Sequence, residues 1–373
     1  MKILMIGPSY GHNIKMFLDF FEVNNSVCFT LGYLDKGDFH TGGSYKNIQF
    51  YKINKSFSGI RNYRLFLKKD WDLIWIHRGA NLKFLVLTYL FKTEKSKLIL
   101  NIWGEQLPRM IKKGGFKSMI YKKLFWKIDY IQCNWYGTYE LFTEISSKFN
   151  LVVFPWGLQN EYFSNTSPTM HSFTYEFINN LPKTKIKFFI PRSIIRINNH
   201  HILINSAKIL KEQGYHNFVI YLWHGNVFDD NYVKEINTYI NKNDLDEFVK
   251  IVEHPFLSAF DIKEIWKAMD CGIVFGSIDQ LSTTLLEPML YKKELIASNI
   301  QPYKIFEKKY NINLDLSDTN SKSLGKRMEK ILQGFKTPKN ILEKREQLIK
   351  RHFNFNSNIT TMLNFYSKTI YHT

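Results

Sequence analysis

Phe275-Gly276-Ser277-Ile278-Asp279-Gln280-Leu281-Ser282-Thr283-Thr284-Leu285-Leu286-Glu287-Pro288-Met289 is the stretch on which the fold turns. The apolar run 271–275 enters it, and its second half spaces apolar residues as a helix does. It therefore reads as a buried strand, a hydroxyl-rich turn and a helix that starts near Ser282. A further strand is predicted at 294–298. Strand, crossover helix and strand make a parallel βαβ unit. Asp279 precedes the helix and Glu287 lies inside it. Carboxylates read hydroxyl-bearing ligands, and the N–H groups of a helix start attract phosphate, so residues 276–299 supply both.

The same alternation runs upstream. Strands are predicted at 186–190, 217–222 and 249–252, and helices at 201–213, 231–242 and 261–269. The first of these strands ends at Pro191-Arg192-Ser193-Ile194-Ile195-Arg196, ahead of a helix that begins near Asn198. Guanidinium forks bind phosphate oxygens bidentately, which makes Arg192 and Arg196 candidates for a diphosphate; the competing reading is a pair of solvated surface residues. After the strand 217–222, Gly225 either lets the backbone approach a ligand or simply turns the chain.

The first half has the same character, with strands at 1–6, 72–77, 97–102, 130–134 and 151–154 and a helix at 138–148. In open α/β sheets the carboxyl-end loops line the ligand crevice. His12, His77, Arg78 and Glu105 are thus expected neighbours, with Gly11 and Trp103 in the same loops. A polar stretch at 164–169 marks the boundary. The expected organisation is an N-terminal Rossmann-like domain at 1–165, a C-terminal Rossmann-like domain at 166–345, and a C-terminal helical segment at 346–373 that packs across the junction.

Composition narrows the class. The 373 residues suffice for two domains, and 45% hydrophobic residues with only 10 Pro and 19 Gly exclude a disordered or fibrous chain. Cys28, Cys133 and Cys271 are far apart, with no metal-ligand spacing, so neither structural zinc nor an oxidising compartment is expected. The apolar run after Lys2 reaches Gly7 and Pro8 too soon for a secretory leader, and no run approaches the roughly 20 apolar residues that span a bilayer. A cytoplasmic protein is expected. The net charge of +18 points to an anionic partner: nucleic acid, a lipid surface or a phosphorylated small molecule. A composition bias toward Lys, Asn, Ile, Tyr and Phe is the bland account of the same charge.

The spacing Asp279-x7-Glu287, with Leu286 and Met289 around the Glu, resembles the E-x7-E motif of retaining GT-B glycosyltransferases of the family-4 type, the glycosyl transferases group 1. Further matches are Arg192 at the family's G-R-x-x-x-x-K loop, Asp270 before Cys271 at its "aD" pair, Trp103-Gly104-Glu105-Gln106 at W-G-x-D, and Phe154-Pro155-Trp156-Gly157-Leu158 at the inter-domain turn. The resemblance covers most of the chain and implies an α/β fold of two Rossmann-like domains facing across a cleft. It also implies a nucleotide-sugar donor, retention of anomeric configuration, and no metal or other cofactor, with Arg residues and helix dipoles holding the leaving-group charge. By resemblance Asp279 lies toward the hexose hydroxyls and Glu287 toward the ribose, while Ser282, Thr283 and Thr284 belong to the diphosphate-binding helix start. Departures fall in the same places: Asp279 for Glu, Pro191 for Gly, Ile197 where the Lys belongs with Arg196 one residue early, and Tyr291-Lys292-Lys293 for the Gly turn. The bland alternatives are an exposed helix residue for Glu287 and a helix cap for Asp279.

On the acceptor side, His77 is expected to orient the acceptor hydroxyl or donor phosphate, or to be a satisfied structural His. Glu105 is a candidate to accept a hydrogen bond from the acceptor. Residues 108–127 interleave Arg109, Lys112, Lys113, Lys117, Lys122, Lys123 and Lys127 with Phe116, Ile120, Leu124 and Trp126. That pattern fits a helix on an anionic membrane and equally a crossover helix whose 116, 120 and 124 face lies on the sheet. The expected acceptor is a free or lipid-linked glycan in surface polysaccharide or O-antigen synthesis. Alternative readings are an inverting GT-B transferase or a sugar-nucleotide epimerase, and a basic nucleic-acid-binding protein, for which no motif speaks.

Overall fold

The computed structural model describes residues 1–7, 12–24, 26–33, 45–53, 57–77, 82–165, 170–225, 228–253 and 258–371. The chain divides into two compact units, Met1–Trp156 with Asn356–Thr373, and Gly157–Phe355.

Unit 1 contains β1 (Lys2–Gly7), α1 (His12–Val23), β2 (Cys28–Tyr33), β3 (Ile48–Lys52), α2 (Phe57–Leu67), β4 (Leu73–His77), α3 (Leu82–Phe91), β5 (Lys97–Ile102), α4 (Gln106–Lys113), α5 (Phe116–Phe125), β6 (Tyr130–Cys133), α6 (Tyr136–Ile145) and β7 (Leu151–Val153). Its strands form one parallel sheet in the order β3-β2-β1-β4-β5-β6-β7. β1, β4 and β5 are buried almost throughout, as strands covered on both faces must be, and this is why they read as continuous apolar runs.

Unit 2 contains α7 (Ser172–Asn179), β8 (Ile186–Ile190), α8 (His200–Glu212), β9 (Phe218–Trp223), α9 (Asp230–Lys242), β10 (Val249–Val252), α10 (Ala259–Ala268), β11 (Cys271–Val274), α11 (Thr283–Leu290), β12 (Glu294–Ser298), α12 (Gln301–Tyr310), β13 (Asp315–Ser317), α13 (Ser321–Leu332) and α14 (Lys339–His352). Its parallel sheet runs β10-β9-β8-β11-β12-β13. A last helix, α15 (Phe355–Tyr371), completes unit 1. There Tyr366 Oη donates to the buried Gln132 Oε1 at 2.8 Å and Asn358 Nδ2 to the Pro155 carbonyl at 2.8 Å.

The boundary expected at 165 lies at 156/157. The residues before the polar stretch belong to unit 2. Leu158 N donates to Phe353 O and Phe355 N to Leu158 O, and Tyr162 reaches Glu287. Gly157 makes the turn at φ +82, where an added Cβ would lie 2.1 Å from the Phe353 carbonyl oxygen. The segment 346–373 also divides, its first residues ending α14 in unit 2 and the rest forming α15. No helix among the described residues is long and apolar enough to cross a membrane.

Candidate functional site

Strand order in unit 2 reverses between β8 and β11, and a doubly wound sheet opens a ligand crevice at the carboxyl ends of such a pair. The loops leaving these two strands carry Arg192 and Asp279. Arg192 Nη1 donates to Asp279 Oδ2 at 2.7 Å and to Thr284 Oγ1 at 3.4 Å. The same Asp279 oxygen accepts from Ser282 Oγ at 2.8 Å and from Tyr303 Oη, the latter on α12. The other oxygen, Oδ1, accepts from Gln280 N. Burial works against the Arg192 charge, but the Asp279 carboxylate outweighs it and holds the guanidinium's pKa raised. Burial and the neighbouring carboxylate keep the Tyr303 phenol protonated, its pKa well above the ordinary value.

Asp279 therefore does not cap the helix. Ser282 occupies the N-cap position of α11 but turns its hydroxyl to Asp279 and Thr284, leaving the helix start with no side-chain cap. Uncapped N–H groups at a helix start, beside a half-buried guanidinium, make an anion-binding corner. His200 supports it from below, its Nε2 3.2 Å from the Arg192 carbonyl, and burial pushes its pKa down to about 4.

Glu287 is 3% exposed, which removes the reading of an ordinary surface helix residue. Its Oε1 accepts from Tyr162 Oη at 3.1 Å and its Oε2 from Trp266 Nε1 at 2.8 Å. Burial raises its pKa against the hydrogen bonds from Trp266, Tyr162 and Thr283. Trp266 reaches it because β11 carries Gly272, where a Cβ would stand 2.8 Å from the indole and 3.0 Å from Pro288. The helix that presents Trp266, α10, is started by a capping box between Ser258 and Asp261.

The other donor-side candidates divide. Gly225 sits against the 191–196 loop, at φ +74, with room for a Cβ blocked by Ser193 Oγ at 2.3 Å. Arg196 is not brought to the cluster. It begins a 3₁₀ turn, lies over the Tyr232 ring at 4.9 Å and pairs with Glu235 at 2.5 Å, both on α9. Arg196 and Glu235, with Asp229, Asn231, Lys234, Thr238, Tyr239 and Lys242, line an open surface hollow of about 800 Å³.

In unit 1, His77 ends β4 and is buried, its Nε2 3.2 Å from Asn101 Nδ2 on β5. Its ring lies among those of Phe17, Trp75, Trp103 and Trp156. Among the described residues, the buried Asn101 Oδ1, Asn134 Oδ1 and Trp156 Nε1 have no hydrogen-bond partner. Glu105 is engaged elsewhere, by Arg109 Nε at 2.8 Å and Nη2 at 2.5 Å in the first turn of α4. Its link to Arg109 is an i,i+4 pair. Gly11 and Arg78 lie outside the described residues, and His12 is the first residue of α1. Tyr303, Tyr162 and Trp266 were absent from the expected site.

No family model and no curated protein matches the sequence. Solved structures do. HepE of Anabaena, in complex with UDP and glucose, superposes with a TM-score of 0.74 at 15% identity, over 99% of this chain and 100% of that one. Sucrose-phosphate synthase of Thermosynechococcus elongatus gives 0.76 at 11% identity over the whole of both chains. A glycosyltransferase of Rickettsia africae gives 0.75 at 16% identity over 99% and 98%. With two doubly wound α/β units matched across the whole length of such enzymes, the chain has the GT-B fold.

Proposed function

We propose that the protein is a glycosyltransferase that takes a sugar from a nucleotide-activated donor and transfers it, with retention of configuration, to a hydroxyl of a glycan or lipid-linked oligosaccharide. The observation that carries this reading is the Arg192–Asp279 pair set beside the uncapped start of α11 at the strand-order reversal. Nucleoside diphosphate is the leaving group that such a corner suits: a guanidinium and helix-start N–H groups stabilise the charge that develops as the sugar C1–O bond breaks. Asp279 holds Arg192 until a diphosphate competes for it, and its carboxylate then faces the sugar hydroxyls. Glu287 is assigned to the ribose. The departing phosphate oxygen takes the proton of the attacking hydroxyl, so no strong protein base is required, consistent with the engagement of Glu105 by Arg109.

The HepE structures with UDP-glucose and with UDP and glucose support a uridine-type donor of this class by likeness of fold. A role in surface polysaccharide or O-antigen assembly is the setting we assign. The test is release of free nucleoside diphosphate from a panel of nucleotide sugars, with NMR of the product's anomeric centre. Asp279→Ala and Glu287→Ala are expected to abolish release, and unchanged activity in both would remove the site assignment.

A further inference from the structure

α5 does not pack by the face on which its sequence places Phe116, Ile120 and Leu124. The side chains it buries are Ser118, Tyr121 and Phe125. At about 100° per residue, Phe116, Met119, Lys123 and Trp126 fall on the opposite side of the helix. Phe116 is 74% exposed, Met119 47% and Trp126 53%. Three large apolar side chains on one outward helix face are not core residues displaced by chance, and contiguous apolar surface of this kind marks an interaction site.

The cations stand around them. Between Glu105 and Asp129 the chain has no acidic residue, whereas it has Arg109, Lys112, Lys113, Lys117, Lys122, Lys123 and Lys127. Arg109 and Lys112 are paired, with Glu105 and Glu144, and Lys127 lies over the Tyr89 ring. No acidic partner among the described residues holds Lys113, Lys117, Lys122 or Lys123. The turn between α4 and α5 is Gly114-Gly115, both at positive φ, and no atom lies within 4 Å of where either would place a Cβ. The corner projects into solvent.

We propose that this corner of unit 1 docks on an anionic membrane surface. Phe116, Met119 and Trp126 enter the boundary between headgroups and acyl chains, and Lys113, Lys117, Lys122 and Lys123 meet the lipid phosphates. Cations alone would suit a nucleic acid, and apolar side chains alone would suit a protein groove. Apolar side chains on the outward face, with Lys123 among them and the long Lys117 and Lys122 side chains on its flanks, suit the bilayer interface, whose chemistry changes from charged to apolar within a few ångströms. The proposal concerns unit 1 and does not rest on the donor-site reading, since neither α4 nor α5 contributes to that site.

Sedimentation with vesicles tests it, using phosphatidylcholine mixed with phosphatidylglycerol against phosphatidylcholine alone, at low and high salt. The protein is expected on the mixed vesicles at low salt only. Each lysine removed weakens partition roughly fivefold, so Lys117→Gln/Lys122→Gln/Lys123→Gln loses about a hundredfold. Phe116→Ser/Trp126→Ser loses roughly tenfold or more. Both variants keep the wild-type melting temperature, because Phe116, Lys117, Lys123 and Trp126 are exposed and the half-buried Lys122 pairs with no acidic residue among the described ones, and keep nucleoside diphosphate release with a soluble acceptor. Wild type left in solution with mixed vesicles overturns the proposal. So does wild-type partition of either variant, or binding of a single-stranded RNA that depends on the lysines while vesicles are ignored.

Discussion

Asp279→Asn keeps the size of the side chain and removes the charge that faces Arg192. One oxygen of Asp279 accepts from Arg192, Ser282 and Tyr303, and the other from Gln280 N. Asparagine has a single acceptor oxygen; if it serves the first three donors, its NH₂ faces the Gln280 N–H. Removing one member of a buried ion pair costs about 3–5 kcal/mol. The Arg192 side chain keeps 18% of its surface, and water there relieves part of the penalty, so about 3 kcal/mol is expected. For a unit of roughly 200 residues each kcal/mol is worth about 2–4 °C, which gives a fall of about 6–12 °C. Calorimetry at neutral pH without nucleotide measures it. In Arg192→Met/Asp279→Asn the stranded guanidinium is gone, and the loss should fall short of the sum of the single losses by about 1–3 kcal/mol. A drop under about 2 °C, or strictly additive losses, would refute the idea that the pair holds the two crevice loops together.

Three further outcomes are expected. Burial holds His200 neutral down to about 4, against an ordinary 6.5, so stability is complete above 6.5 and is lost as pH falls toward 4. The difference is worth about 3 kcal/mol, and His200→Gln should flatten the wild-type decline of urea midpoint over that range. Glu287 behaves oppositely, since its raised folded pKa means that stability falls as pH rises from the ordinary 4.5 through the folded value; Glu287→Gln should gain on wild type over the same rise in pH, read from paired urea titrations. Gly157→Ala sets a Cβ against backbone and is expected to cost about 3 kcal/mol or more, whereas Gly225→Ala meets chiefly a rotatable hydroxyl and costs about 1–2 kcal/mol; equal melting temperatures for the two would contradict the geometry.

The central strands were legible almost to the residue. β5, β8 and β12 are the predicted runs 97–102, 186–190 and 294–298, because parallel strands buried on both faces are short continuous apolar runs with polar stops; the edge strand β10 also falls on its run, 249–252, though Lys250 is exposed. β2, β3 and β13 were not nominated. β3 is a mostly exposed edge strand and β13 has three residues, so neither shows a buried run. Arg192 and Asp279 could be found because each sits in the loop just after its strand. Tyr303, Trp266 and Tyr162 could not be found by spacing, since they reach their carboxylates from 24, 21 and 125 residues away. Only the position of Tyr303 after the strand 294–298 offered a signal. Arg196 was expected beside Arg192, but it starts a 3₁₀ turn and its side chain lies against α9. α5 was misread because its buried stripe includes Ser118, whose hydroxyl is satisfied by the Ile111 carbonyl and so needs no water.

The return of α15 to unit 1 makes order of synthesis a folding problem. Tyr366 and Phe365 cover Tyr130 and Phe154, which the ribosome delivers roughly 200 residues before α15. At about 5–20 residues per second, that face of the nascent sheet waits roughly 10–40 s for its lid. Unit 2, being continuous, folds during the wait. A chain stopped at the end of α14 would leave Tyr130 and Phe154 without the two rings that cover them.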